Sequence, residues 1–541
     1  MDTITDGDVA SSGTSSWHAI DWASTTCTVR RLQTRIAKAA KDENWRQVTR
    51  LQRLLVRSTA AKAVAVRRVT ENQGRKTPGV DRVVWSTPAA KWSAVTSLDS
   101  RGYRAKPLRR IHIPKASGGL RPLGIPTMKD RAMQALYWLA LDPVAETRGD
   151  RNSYGFRSGR STADAIAQCH NALSRSNSPQ WILEGDIKGC FDNISHEWLM
   201  RNVPIHRRML SQWLKAGFME DRKLFPTDAG TPQGGIISPV LANLVLDGME
   251  ELLKNNLPRR AKCNFVRYAD DFVITAASKE LLENKIRPMV AGFLKERGLT
   301  LSETKTRITH VSEGFDFLGW NVRKFGTFLR IAPSKQNATA FRKKVKAKLC
   351  KLRGESQDKV LFAINPVIRG WGNYHRVAHA SRPFAKMDHL IHHAVWQWAT
   401  RRHPTKGRRW IKRRYYRRNV SRDWLFGTES LSLVRLSTIK VGGYTKVRSD
   451  ANPYDPADED YFDERLNRRM KSSLQGRRRL YWLWNRQGGK CPECQGMITK
   501  KTGWHVHHVV WRVFGGSDAL TNLQMLHPTC HERLHARARK A

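Results

Sequence analysis

Long apolar runs are missing from this sequence: no stretch approaches the roughly 18 to 20 uninterrupted apolar residues that a membrane-spanning helix needs. A membrane is therefore not among the expected partners. Acidic residues are scarce as well, with 47 Asp and Glu against 96 Lys and Arg, a formal net charge of +49. That excess is larger than a soluble surface requires and points to a polyanionic partner, nucleic acid before all others. Cysteine is sparse. Of eight, Cys27, Cys169, Cys190, Cys263 and Cys350 stand alone, whereas Cys491, Cys494 and Cys530 gather among histidines in the last 51 residues. The pattern excludes a disulfide framework and suggests reduced thiols with one metal site. The opening MDTITDGDVASSGTSS has neither the basic nor the apolar region of a secretory signal, so an intracellular protein is expected.

What is present is enough chain for several cores. With domains of about 100 to 200 residues, 541 residues imply roughly three or four of them. Residues 1–29 are rich in Ser, Thr and Asp without periodicity and read as a flexible leader. From Arg30 the pattern is helical: Leu32, Ile36 and Ala39 share one face, then Trp45, Val48, Leu51 and Leu55 share another. RRIHIPKASGGLRPLGIP (109–126) reads as a basic hairpin with a glycine turn. WILEGDI (181–187) and FVRYADDFVIT (265–275) read as buried strands that carry carboxylates. Between them, GTPQGGIISPVLANLVLDGMEELL (230–253) supplies a glycine turn and a helix, with Ser238 as N-cap and Pro239 at the first helical position.

Past residue 330 the helices become basic, with Phe341, Val345, Leu349 and Leu352 forming a stripe. RRHPTKGRRWIKRRYYRR (401–418) has ten Lys and Arg in eighteen residues and no acid, the strongest local nucleic-acid signal. The acidic DPADEDYFDE (455–464) that follows suggests a linker or a strip docking on the chain itself. Nineteen Trp and eleven Tyr offer stacking surfaces for bases as well as core volume.

The acids in the two strands are costly to bury without cations. Asp270 and Asp271 sit at a strand or turn, and Asp186 on another strand could meet Asp270 across a sheet. Such carboxylates suit two divalent ions, which lower the pKa of an attacking hydroxyl and steady a leaving oxygen. The motifs KTPGVD (76–81), IPKASGGLRPLGIP (113–126), YGFRSGRS (154–161), GDIKGCFDNI (185–194), TPQGGIISPVLANL (231–244), YADD (268–271), LSETKTRI (301–308) and FDFLGW (315–320) follow one another in this order. In that order the chain resembles the group II intron-encoded proteins, reverse transcriptases and maturases with an appended HNH endonuclease. The likeness runs from about residue 30 to the C-terminus.

The resemblance implies a multidomain α+β protein: a right-hand polymerase whose fingers and palm are built on antiparallel sheet, an α-helical thumb and maturase domain, and a small zinc-stabilised ββα-metal (HNH) domain. Its boundaries would be a leader at 1–29, a helical extension at 30–110, fingers and palm at 111–330, thumb and maturase at 331–440, a DNA-binding or linker region at 441–484 whose basic part begins near 401, and the endonuclease at 485–541. Two Mg²⁺ ions would rest on Asp186, Asp270 and Asp271, with the Ile187 carbonyl as a further ligand. Phe191 would sit beneath the incoming sugar and exclude a 2′-hydroxyl, its alternative being an ordinary core Phe. Gln233 would contact the nucleotide, Lys115 and Arg121 would neutralise the triphosphate, and Lys305 would stand near the nucleotide as a proton donor; for Lys305 and for FDFLGW, packing is the competing role. INPVIRGWGNYH (364–375) matches the maturase domain. The implied partners are group II intron RNA, target DNA and dNTPs, in the bacterial cytoplasm, at the nucleoid when on DNA, or in an organelle. Two other readings are an RNA-binding splicing factor with relic catalytic domains, and a host-domesticated reverse transcriptase.

At the C-terminal end, CPEC (491–494) and HPTC (527–530) form two knuckles offering Cys491, Cys494, His527 and Cys530 to a tetrahedral structural Zn²⁺. HVHHVVWRVFGG (505–516), Asn522 and CHERLH (530–535) fit the HNH nuclease. His531 and His535, at i and i+4 of a helix, would join His507 in holding one divalent ion, Mg²⁺ by preference. His508 would be the general base, and Asn522 would orient its backbone or its ring. His505 competes with His507 as ligand, and a zinc-stabilised DNA-binding knuckle without cleavage is the alternative.

Overall fold

A computed structural model describes residues 16–114, 118–221, 223–419, 422–474 and 477–538. The first fifteen residues and Lys115 lie outside the described residues.

Helical structure begins inside the stretch 1–29 that composition reads as a flexible leader. Asp21 caps a helix, Trp22–Lys41, by accepting from the Ala23 and Ser24 amides. Trp17 and Trp22 are buried edge to face, with ring centroids 5.0 Å apart. Two aromatic anchors outweigh the polar residues around them. Asn44 caps the second helix, Trp45–Arg57, and a third, Thr59–Glu71, follows. Leu32, Ile36, Val48, Leu51, Leu55, Val66 and Val69 are all buried, in a core shared with the central helix Met128–Arg148.

The basic hairpin forms as read: Leu108–Pro114 pairs antiparallel with Leu120–Ile125, and short strands Phe218–Glu220 and Lys223–Phe225 extend this fingers sheet. The palm is an antiparallel four-stranded sheet in the order Asn264–Tyr268, Asp271–Ala276, Trp181–Asp186, Arg307–His310. Helix Ser238–Leu246 lies beside it, and here the capping expectation is corrected. Ile237 is the N-cap and Ser238 the first helical residue, because the Ser238 hydroxyl donates to the Pro232 carbonyl at 2.8 Å and braces the glycine loop instead of the helix amides.

A three-stranded sheet, Phe315–Phe317, Trp320–Phe325 and Phe328–Pro333, leads to the thumb helices Lys335–Lys351, Gln357–His375, Ser381–Arg402 and Arg408–Tyr415. Phe341, Val345 and Leu349 are buried in the thumb core, with Leu352 partly so. The FDFLGW turn is stapled to the thumb: Trp320 stacks on Tyr374 at 4.3 Å, and the Tyr374 hydroxyl donates to the Leu318 carbonyl at 2.8 Å. Trp371 Nε1 and His375 Nε2 both donate to Asn337 Oδ1, at 2.7 and 2.9 Å.

Burial holds the His375 imidazole down to about 4, and a second ring proton on Nδ1 would find no acceptor. Stability from this neutral ring is complete above the ordinary histidine value of about 6.5 and is lost as pH falls toward 4. The melting temperature is expected to drop across that window, and His375→Gln should flatten the drop; an equal slope in the variant would remove His375 as its source.

The strip around the acidic segment docks on the chain itself, through Phe462 and the residues flanking the acids and not through the acids. Asp164, fully buried in the palm helix Thr162–Leu173, accepts from Arg465 at 2.7 Å and Arg469 at 3.1 Å of helix Glu459–Ser473. Tyr454 donates to Asp142. Beyond it, strands His505–His508 and Leu523–Leu526 pair antiparallel and helix Pro528–Ala538 closes a small ββα unit. That unit rests against the N-terminal helices: Lys91 pairs with Glu532 at 3.3 Å, and Arg533 donates to the Ile20 carbonyl at 3.2 Å.

Candidate active sites

Strand register builds the first site. Asp186 ends its strand directly opposite Asp271, and Tyr268 pairs with Asp271 across the hairpin, leaving Ala269 and Asp270 as the turn. Ala269 has φ of +60°, a conformation that a non-glycine residue holds only under constraint. The constraint is visible. Arg267, wholly buried, pairs with Asp247 and donates to Asn243 Oδ1 at 3.2 Å and to the Ala269 carbonyl at 3.4 Å. Asn243 in turn donates to the Gly155 carbonyl at 2.9 Å. Gly155 must be glycine, since a Cβ there would stand 2.2 Å from the Ala269 amide.

The hairpin opens on a cleft of about 1060 Å³ whose walls include Arg121, Asp186, Phe191, Gln233, Asp270 and Lys305. Ile187 lines it too, while Asp271 does not. Burial first, and then the Asp186 charge, raises Asp270 above the usual carboxylate range. Asp271 still reaches solvent, yet the surrounding palm together with Asp270 and Asp186 raises it to about 6. Carboxylates that crowd one another in this way favour cations between them. In this structure Lys305 meets that need for Asp186, with Nζ 3.1 Å from Oδ2.

Gln233 and Phe191 occupy opposite ends of one loop contact. The Thr231 amide donates to the Phe191 carbonyl at 2.6 Å, and Gln233 Nε2 donates to the Asp192 carboxylate at 3.1 Å. The Gln233 carbonyl accepts from the Gly124 amide of the fingers hairpin at 2.8 Å, which couples fingers to palm across the cleft. Phe191 is half-buried and meets Phe156 edge-on, with centroids 6.3 Å apart.

Sequence reading missed Phe156, Asp192 and Arg267 as parts of this site. Phe156 lies inside YGFRSGRS, but only its backbone at φ +58° and its 51 % exposure on the cleft wall mark it as more than packing. Arg267→Met is expected to destabilise the fold by about 3 to 5 kcal/mol through the unpaired Asp247. Displacement of the turn should also lower kcat for nucleotide addition by about 10²-fold. Thermal melting and steady-state kinetics of the variant check both, and an unchanged kcat would separate Arg267 from the turn.

The C-terminal unit holds two metal-ligating groups, each with all its donor atoms within 4.8 Å: Cys491, Cys494, His527 and Cys530, and separately His507, His531 and His535. In the first group His527 Nδ1 faces Cys494 Sγ at 3.3 Å while Nε2 donates to the Met497 carbonyl at 3.1 Å. That outer bond fixes the tautomer a metal needs. Hydrogen bonds from Cys494 and Cys530 hold the Cys491 thiol far below its usual range. Three sulfurs and one imidazole are a set that fits zinc.

In the second group, burial and then the neighbouring imidazoles hold His531 down to about 4, and His507 is lowered in the same way, so that neutral rings are presented. His505 packs edge-on against His531 at 5.1 Å but stands outside the close group. His508, next to His507 on the strand, instead contacts Asp518 Oδ1 through Nε2 at 2.7 Å. Asp518, which no sequence motif marked, is also bound by Arg512 at 2.6 Å. The Asn522 side chain touches neither the backbone nor the ring of His508 directly: it accepts from the Val510 amide at 2.7 Å and donates to the Val510 and Ser517 carbonyls at 3.0 and 2.8 Å, and so braces the loop that follows His508.

Four family models match the chain: N-terminal domain of reverse transcriptase over residues 17–98, reverse transcriptase (RNA-dependent DNA polymerase) over 113–322, group II intron, maturase-specific domain over 338–416, and HNH endonuclease over 491–537. Protein YkfC of Escherichia coli (strain K12) is 32 % identical over 336 residues, which are 54 % of this chain and 87 % of that protein. Group II intron-encoded protein LtrA of Lactococcus lactis subsp. cremoris is 32 % identical over 373 residues, 55 % of this chain and 60 % of that one. Among solved structures, apo telomerase from Candida tropicalis aligns over 57 % of this chain and 63 % of that chain, at 14 % identity and a TM-score of 0.36. With polymerase, maturase-specific and nuclease modules in this order, the chain belongs to the group II intron-encoded proteins: an RNA-directed DNA polymerase joined to a maturase domain and an HNH endonuclease domain.

Proposed function

We propose that this protein copies its group II intron RNA into DNA at the cleft of Asp186, Asp270 and Asp271, assists splicing of that RNA through its basic thumb, and nicks target DNA at the His507, His531 and His535 group. The observation that carries the reading is the register setting Asp186 against Asp271 at a cleft that also gathers Arg121, Phe191, Gln233 and Lys305. Two Mg²⁺ ions held by the three acids, with the Ile187 carbonyl, would activate the primer 3′-hydroxyl and stabilise the leaving pyrophosphate. Arg121 supplies fixed positive charge for the triphosphate, and Lys115 is proposed for the same task. Lys305, on the cleft wall and released from Asp186, would donate a proton to the leaving group. Gln233 orients the nucleotide from a loop locked to both fingers and palm.

Phe191 lines the cleft, and in this reading the sugar of an incoming nucleotide rests against its ring. Phe191→Val is expected to raise ribonucleotide incorporation relative to deoxyribonucleotide by about 10- to 200-fold, the range one change of side-chain volume allows. Competition between labelled rNTP and dNTP checks it, and unchanged sugar selectivity would assign Phe191 to the core alone.

In the nuclease, His508 takes the proton of the attacking water and Asp518 holds its ring. A divalent ion on His507, His531 and His535 would polarise the scissile phosphate. Asn522 keeps the intervening loop in shape, and zinc on Cys491, Cys494, His527 and Cys530 holds the unit together. The basic segment 401–418 supplies the phosphate grip, which should weaken steeply with salt.

A coupled reaction tests the whole. The purified protein, assembled with the RNA that encloses its coding region, is given duplex DNA from the insertion locus and labelled dNTPs. Label joined covalently to a nicked DNA strand is expected. Nicking without extension, or extension only from an added primer, would contradict the coupling of the two sites.

A further inference from the structure

Between the two strands of the nuclease unit the chain makes a tight turn whose apolar tip is bare. Val513 and Phe514 are 81 % and 78 % exposed, the highest values for large apolar side chains among the described residues. Val509 and Val510 at its base are also exposed. Such exposure costs solubility and is not the by-product of a loose loop. A 3₁₀ turn, Arg512–Phe514, sets the tip, Phe514 and Gly516 donate to the Trp511 carbonyl, and Gly515 takes φ of +79°. Asn522 clamps Val510 and Ser517 on either side, and Arg512 is tied to Asp518.

The turn is joined to the metal-binding histidines through Trp511. Its ring lies 4.5 Å from that of His535 and 6.4 Å from that of Phe514. Its other neighbours are basic and aromatic. Helix Arg478–Arg486 runs alongside, Arg479 donating to the Asp518 carbonyl and Arg486 to those of Leu520 and Thr521. Tyr481 and Trp482 of that helix are exposed, with Arg486 stacked over Trp482. An apolar partner protein would meet a ring of guanidinium groups at this edge, whereas a nucleic-acid duplex satisfies both: phosphates for the arginines, base faces for the tip.

We infer that Val513 and Phe514 are a wedge that inserts between base pairs of duplex DNA beside the scissile phosphate, unstacking one step and bending the duplex onto the His507, His531 and His535 group. Apolar side chains driven into a base step kink DNA and widen the minor groove. The inference rests on the nuclease reading for the position of the phosphate, and the test keeps the two apart. Ca²⁺ replaces Mg²⁺ in the binding arm, so that unstacking is read without cleavage.

The full chain is mixed in Ca²⁺ with a 40-base-pair duplex carrying 2-aminopurine at intervals, beside a Val513→Ser, Phe514→Ser variant whose zinc content and cDNA synthesis report its folding. Wild type is expected to raise the fluorescence severalfold on binding, and the variant to bind without the rise. In Mg²⁺, nicking of matched duplex should fall at least about tenfold in the variant and recover on duplex with a mismatch at the cut, where unstacking is already done. Binding by wild type with no rise, or the same rise in the variant, would overturn the wedge. A fall from dimer to monomer in the variant with fluorescence unaltered would overturn it in favour of a contact between copies. If wild type nicks no DNA, the nuclease reading falls while the fluorescence still decides the wedge.

Discussion

Replacing Asp270 and Asp271 together with alanine is expected to cut cDNA synthesis by about 10³-fold or more, because fixed charges at the reacting phosphate supply most of the rate and cannot be replaced by water. RNA binding and DNA nicking should survive. The structure explains why this loss will not be an unfolding. Burial and the Asp186 charge raise Asp270, and the surrounding palm with Asp270 and Asp186 raises Asp271 to about 6, so at neutral pH their charges strain the palm when no metal ion is present. Removing them relieves that strain and orphans no buried base, since Arg121 and Lys305 are exposed. The double variant should therefore melt no lower than wild type in metal-free buffer. A variant that melts early, or one that still makes cDNA at a tenth of the wild-type rate, would contradict the assignment.

Loss of the zinc knuckle should have an effect of comparable size on the other activity. Cys491→Ser with Cys494→Ser removes half the ligand set, and structural zinc in small domains contributes about 10 to 16 kcal/mol of apparent folding free energy at neutral pH. Among the described residues the nuclease unit has two four-residue strands, one α-helix and short 3₁₀ turns of its own, too little core to fold without the metal. Nicking is expected to fall to background and the bound zinc to disappear from elemental analysis. The contacts of Lys91 with Glu532 and of Arg533 with the Ile20 carbonyl would go with it. Polymerisation should persist, because the cleft takes no side chain from the nuclease unit. Undiminished nicking in the zinc-free variant would show that the knuckle is dispensable.

How much of this was legible depended on whether the signal was local. The palm strands were readable because Phe265, Val266, Phe272, Val273 and Ile274 surround the acids with apolar residues, and a hairpin then has little choice of register. The two metal-ligating groups were readable because short Cys and His spacings confine their donors to one place. The helix at Trp22–Lys41 was not, since its first turn is Ser and Thr rich and the anchors that hold it, Trp17 and Trp22, find their partners only in three dimensions. The Ser238 side chain obeys the same lesson: a serine before a proline signals a cap, but a carbonyl within reach at Pro232 competes for its hydroxyl.

Arg267 and Asp518 show the limit most clearly. Each acts on a catalytic candidate through a contact whose other end is remote or unremarkable in sequence, Arg267 through Asp247 and Asn243, Asp518 through His508 and Arg512. Burial of an arginine inside a strand is not visible in composition, and one aspartate in a glycine-rich loop looks like any other turn residue. Lys305 was expected near the nucleotide and lies on Asp186, a position that only the return of the chain along Arg307–His310 beside Trp181–Asp186 could reveal.

The measurement closest to the centre of this account is primer extension by the purified wild-type protein on an RNA template, with dNTPs and Mg²⁺, followed to the template end on a denaturing gel. Full-length cDNA that requires the RNA template, the annealed primer and the divalent ion is the predicted result. Tight binding of the same primed RNA with no nucleotide added, in Mg²⁺ or in Mn²⁺, would contradict it.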